Sequence, residues 1–139
     1  METFANVARK TMRAGDVIGR LGGEEFVAMV SGTLAEATIA AERIRSAFAA
    51  AEIVRGGQRV TATVSVGIAC GSPLAAVETL VTRADVALYR AKANGRDRVE
   101  MAEETVGAAP DRPLKQGFKQ GLASTMRQVR AAPVAGAGR

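Results

Sequence analysis

A chain of 139 residues with 47% hydrophobic and 24% charged side chains has enough apolar material for the core of one small domain, which excludes a disordered or fibrous protein. Its apolar runs fall far short of the roughly 18 to 20 residues that span a bilayer. The single Cys70 excludes a disulfide framework and suits a reducing compartment, and the absence of histidine removes His-based metal sites and Ser-His or Cys-His catalysis, leaving carboxylates, Lys, Arg and backbone for any chemistry.

Phe4, Val7, Ala8, Thr11 and Met12 recur at helical spacing and predict an amphipathic helix over 2–14 that starts without a cap. Asp16–Leu21 and Glu25–Val30 read as two short strands joined across Gly22-Gly23, a pair suited to a tight hairpin with positive φ. Thr33-Leu34-Ala35-Glu36 is a capping box, and Leu34, Ala37, Ala41, Ile44 and Phe48 form the apolar stripe of the helix it opens, expected to run to about Ala51. Val60, Ala62, Val64, Val66 and Ile68 alternate with polar residues and predict one strand with one buried face. Ser72 as N-cap and Pro73 in the first turn predict a long helix bearing Leu74, Val77, Val81, Ala84 and Leu88, with Gly95 as its left-handed C-terminal residue. A strand near Asp97–Glu100 closes the domain. This order implies an α+β fold, with helices flanking a mostly antiparallel sheet.

The sharpest chemical feature is Gly22-Gly23-Glu24-Glu25-Phe26, where a glycine turn runs straight into two carboxylates. Carboxylates bind Mg²⁺, and phosphoryl transfer uses that metal to neutralise a triphosphate and polarise an attacking hydroxyl. On its own the motif also reads as a solvated turn. Four further blocks accompany it: Arg13-Ala14-Gly15-Asp16 upstream, then Ala41-Glu42-Arg43-Ile44-Arg45, Val64-Ser65-Val66-Gly67-Ile68, and Arg83 through Lys92 with Gly95-Arg96. Together, in this order, they resemble the GGDEF family, the diguanylate cyclases that join two GTP into cyclic di-GMP and release two pyrophosphates. The resemblance covers about residues 2–100 and implies that family's nucleotidyl-cyclase, palm-like fold.

The resemblance implies roles residue by residue. Glu24 would bind metal and activate a 3′ hydroxyl, and Glu25 would bind metal and supply charge at the phosphate site, the two roles not being separated. Gly22 and Gly23 would let the nucleotide lie against bare backbone. Lys92 and Arg96, four apart and so expected on one helix face, would hold the triphosphate, although basic residues also simply complement a helix C-terminus. Arg13, Asp16 and Arg43 would form the RxxD inhibitory site for cyclic di-GMP, although Arg13 and Asp16 also read as a helix-end ion pair. Mg²⁺ is the implied cofactor, GTP the substrate, and a homodimer the catalytic unit, with each 3′ hydroxyl attacking the other nucleotide's α-phosphate.

The family's complete domain begins with a strand bearing a metal-binding aspartate, then a helix and a guanine-reading segment, and no residues here match them. The expectation is therefore a partial domain over 1–100, weakly active or inactive as this chain, with unpaired strand edges prone to association. The alternative is a catalytically silent cyclic di-GMP receptor acting through Arg13, Asp16 and Arg43.

The formal charge of +5 divides into +2 for residues 1–100 and +3 for residues 101–139. The latter segment, with Pro110, Pro113 and Pro133, is expected to be a disordered basic tail. Leu114, Phe118, Leu122 and Met126 recur every four residues there beside basic side chains, but Gly117 and Gly121 weaken the helix, and a membrane-binding role is not expected. No nucleic-acid motif or aromatic platform appears. Met1-Glu2-Thr3-Phe4 lacks the basic head and apolar block of a signal peptide, so the expected location is cytoplasmic.

Overall fold

The computed structural model describes residues 2–72 and 74–103. The proposed tail lies almost wholly outside them. Among the described residues three helices and six strands follow in the order α1 (Glu2–Thr11), β1 (Val17–Gly22), β2 (Glu25–Met29), α2 (Leu34–Ala49), β3 (Ile53–Arg55), β4 (Gln58–Val60), β5 (Val66–Ile68), α3 (Val77–Ala93) and β6 (Val99–Met101). The described residues thus show the expected α+β composition. Their strands form three separate pairs: β1–β2 and β3–β4 are antiparallel, and β5–β6 is parallel. The parallel pair needs a crossover between its strands, and α3 supplies it.

The first helix stops at Thr11, short of the predicted residue 14. Thr11 turns its hydroxyl back onto the Val7 carbonyl, and the chain then folds into a turn between Arg13 and Asp16. By contrast, the capping box forms as the sequence predicts: Thr33 Oγ1 accepts the Glu36 N–H while Glu36 Oε2 accepts the Thr33 N–H at 2.9 Å. Both helix-end donors are thereby satisfied.

The alternating run from Val60 to Ile68 is not one strand. Val60 pairs with Ile53 in a hairpin whose turn is Gly56-Gly57, both at positive φ, and residues 61–65 join no ladder. Val66–Ile68 then pairs with Val99–Met101. Of the residues expected on a buried face only Ile68 is buried, and Val60 is 40% exposed. Helix α3 starts later than expected, at Val77 with Ala76 as N-cap and no side-chain cap. The Ser72 carbonyl accepts the Ala75 N–H, and Leu74 is 96% exposed. The helix begins instead where its apolar stripe meets the core, as Val81 and Val77 pack with Leu21 and Val27 of the first hairpin.

Two packing features tie these parts together. A Cβ built on Gly67 would lie 2.1 Å from the Ala84 carbonyl oxygen and 2.4 Å from the Leu88 nitrogen, so β5 and α3 touch backbone to backbone. Phe4 of α1 packs on both Phe26 of β2, with ring centroids 4.8 Å apart, and Phe48 of α2, at 5.2 Å and edge to face. Aromatic pairs of this geometry contribute beyond their buried area. Among the described residues no helix is long and apolar enough to cross a membrane.

Candidate functional site

The acidic turn is a two-residue hairpin. Gly22 pairs with Glu25, so the turn residues are Gly23 and Glu24, one position later than the predicted Gly22-Gly23. Only Gly23 of the two has a positive φ, 52°, which is the demand of the first central position of a type II′ turn. Arg20 braces it, donating to the Gly23 carbonyl from Nε at 3.0 Å and from Nη2 at 2.8 Å. A ladder irregularity between Arg20 and Gly22 adds local twist at the same point.

Glu24 is exposed and Glu25 half-buried, and neither carboxylate bonds to another described residue. Period-2 alternation sends the side chains of Glu25 and Phe26 to opposite faces. Phe26 enters the aromatic trio, so the residue that anchors the strand leaves its acidic neighbour outward. Among the described residues no three acidic or thiol groups gather into a metal cluster. Glu24 and Glu25 are nevertheless the oxygen donors that a hard divalent cation takes, since Mg²⁺ needs only one or two carboxylates alongside water and phosphate oxygens.

Lys92 and Arg96 do not share a helix face. Lys92 is exposed on the last turn of α3, but the helix ends at Ala93, and Arg96 lies beyond it at φ 63°. The helix closes through Gly95 at φ 109°, as the sequence predicts, and the Arg96 N–H bonds the Ala91 carbonyl at 3.0 Å. That is the outer bond of a Schellman motif. Neither basic side chain bonds to another described residue, so both are open to an anion.

The Arg13–Asp16 segment is a hydrogen-bonded turn rather than an ion pair. Asp16 Oδ2 accepts the Arg13 N–H at 2.9 Å, and the Arg13 carbonyl accepts the Asp16 N–H at 3.0 Å. The Arg13 guanidinium instead reaches Glu36 Oε1 at 3.3 Å, in a pair 69% and 44% exposed at its two side chains. Such an exposed pair is worth little, so a ligand can recruit Arg13 at small cost. Arg43 is exposed beside an open groove of about 800 Å³ between α1 and α2, lined also by Lys10, Thr38, Ile39 and Glu42.

Residues 1–98 match the family described as diguanylate cyclase, GGDEF domain. The chain belongs to the GGDEF family. It is 36% identical over 111 residues to diguanylate cyclase A of Treponema denticola, a match covering 78% of this chain and 30% of that protein. Two solved GGDEF-family structures are also similar. The GGDEF domain of DgcB from Caulobacter crescentus, in complex with c-di-GMP, aligns with a TM-score of 0.66 and 29% identity over 73% of this chain and 62% of that one. The active GGEEF domain of a diguanylate cyclase from Vibrio cholerae aligns with a TM-score of 0.61 and 28% identity over 73% of this chain and 65% of that one. The chain thus spans only part of the length of each relative.

Within this GGDEF domain, three residues beside the site carry no role that the sequence motifs mark. Arg20 stands across β1–β2 from Phe26, a register that places its side chain next to the turn. Arg45 and Asp97 form an ion pair of 2.9 Å from α2 to the turn after α3. The signal for Arg20 was its place just before the glycine pair, whereas nothing local in the sequence marks a contact between residues as distant as 45 and 97.

Proposed function

We propose that this chain is the nucleotide-handling part of a diguanylate cyclase, acting on GTP with Mg²⁺ as cofactor. The observation that carries the reading is the pair of carboxylates, Glu24 and Glu25, without a partner among the described residues, on a hairpin braced by Arg20 and Phe26. Bare backbone at Gly22-Gly23 lets a nucleotide approach closely. Glu24 and Glu25 would hold the metal and receive the proton of the 3′ hydroxyl at carboxylate oxygen, while Lys92 and Arg96 would neutralise the triphosphate. Bound Mg²⁺ supplies charge neutralisation at the phosphates. Each 3′ hydroxyl attacks the α-phosphate of the other nucleotide, forming a phosphodiester and releasing pyrophosphate, so two copies of the domain must face each other. The site belongs to the folded segment, whose last strand runs to Met101, and the cytoplasm is the compartment that supplies GTP.

A second reading is supported by the Arg13–Asp16 turn. It fixes Asp16 through Oδ2, leaves Oδ1 open as an acceptor for a guanine edge, and holds Arg13 only weakly. With Arg43 these residues suit binding of cyclic di-GMP, as product inhibition or as receptor activity without turnover. Chromatography of Mg²⁺-GTP incubated with the full chain tests both readings. Cyclic di-GMP that accumulates with this chain and vanishes in the E24Q/E25Q variant supports the cyclase. Absent product together with cyclic di-GMP binding that R13A abolishes supports the receptor. Binding unchanged in R13A removes the receptor reading.

A further inference from the structure

The turn after α3 holds two successive non-glycine residues in the left-handed region, Arg96 at φ 63° and Asp97 at φ 44°. Side chains rarely adopt such backbone angles, and the conformation persists only where surrounding contacts over-determine it. Three contacts do so here. The Arg96 N–H bonds the Ala91 carbonyl at 3.0 Å. Asn94 Nδ2 donates to Glu100 Oε1 at 3.3 Å, closing the loop over Arg96 and Asp97. Arg45 Nη1 meets Asp97 Oδ1 at 2.9 Å, and it alone ties the turn to a different helix.

Arg45 is itself oriented. Its Nε donates to Glu42 Oε2 at 2.8 Å, one helix turn back on α2, and its side chain is only 26% exposed. The guanidinium is planar, so engaging Nε fixes the direction in which Nη1 points. None of these contacts uses the Arg96 guanidinium, which stays open to a ligand.

We propose that Arg45 is a positioning residue for nucleotide binding: by gripping Asp97 from α2, it locks the left-handed turn from which Arg96 reaches the triphosphate. The proposal rests on the reading of Arg96 as a triphosphate ligand. It adds that the ligand's geometry is set by a residue on another helix that never touches the nucleotide. Arg43, two residues away on α2, belongs to the separate inhibitory reading and has no part in this lock.

The test compares the full chain with R45M, D97A, D97N and R96A, reading hydrogen exchange at the Arg96 amide and the Kd for Mg²⁺-GTP. R45M and D97A are expected to speed Arg96 exchange about tenfold while leaving mid-helix α3 amides unchanged, a local loosening and not unfolding. Both should weaken Mg²⁺-GTP about five- to tenfold through misplacement of Arg96. D97N, whose side-chain carbonyl still accepts from Arg45, should recover most of both effects. If R96A weakens binding but R45M and D97A leave exchange and affinity unchanged, the positioning role is overturned and the ligand role of Arg96 stands. If R96A binds Mg²⁺-GTP as the parent chain does, the ligand role fails and the positioning role falls with it.

Discussion

Replacing Gly67 by alanine tests the packing that places the basic end of α3. The added Cβ would stand 2.1 Å from one backbone atom of α3 and 2.4 Å from another, where real contacts do not fall below 3.0 Å. Because both obstacles belong to a hydrogen-bonded helix, no rotamer change relieves them, and the helix must move about 1 Å away from β5. Overpacking costs typically about 1–3 kcal/mol, and a backbone obstacle places G67A near about 3 kcal/mol. For a domain of this size that is a fall of about 12–24 °C in Tm. Lys92 lies one turn beyond Leu88, so the same shift displaces it, and a displacement of about 1 Å can cost about 100-fold in a positioned reaction. Denaturant melts of the full chain followed by circular dichroism give the stability change directly. Gly15 is the control, with nothing within 4 Å of its Cβ position and no left-handed φ. G15A should be neutral or more stable by about 0.4–1 kcal/mol, because alanine restricts the unfolded chain. A G67A chain within about 0.5 kcal/mol of the parent would refute the close strand–helix contact.

Three further outcomes are expected. R20A removes both donors to the Gly23 carbonyl and should cost about 1 kcal/mol, with faster amide exchange in the Gly22–Glu25 turn as the diagnostic. In a double-mutant cycle, F4A and F26A should show a coupling of about 0.5–1.5 kcal/mol, since Phe4 lies on Phe26, and additive losses would remove that contact from the account. The Glu36 carboxyl is held below its ordinary 4.5 first by the Thr33 backbone N–H, then by the Thr33 hydroxyl and the Arg13 guanidinium. A lowered folded-state value means that this stabilisation is complete above about pH 4.5 and drains away as pH falls through that lower value. E36Q should flatten the acid limb of a urea-midpoint profile, and an unchanged limb would show that the carboxylate is not held there.

The local signals in the sequence were strong where one segment decides its own structure. Thr33 and Glu36 lie three apart and cap each other, and Gly95 ends α3 as its position implies. Alternation misled at Val60–Ile68, because a period of two specifies extended backbone and not a partner. Gly56-Gly57 carried the same hairpin signal as Gly22-Gly23, and it is this turn that pulls Val60 back onto Ile53. Ser72 and Pro73 read as a helix start by local chemistry, yet the helix begins at Val77, where Leu21 gives its stripe something to cover. At the site, Glu24 and Lys92 are exposed and Glu25 is half-buried. The shared face for Lys92 and Arg96 failed because i, i+4 spacing means adjacency only inside a helix, and this helix ends between them. Arg13 pairing with Glu36, and Arg45 with Asp97, are tertiary contacts that no local pattern announces.

The central claim is that the glycine turn and its two carboxylates form one nucleotide site with the basic end of α3. Titrating Mg²⁺-GTP into the full chain and its E24Q/E25Q and R96A variants by calorimetry tests it most directly. The account predicts saturable binding to the parent chain, weakened at least about tenfold in each variant, with cyclic di-GMP binding unaffected by E24Q/E25Q. Mg²⁺-GTP binding equal in all three chains, or absent from the parent chain, would contradict it.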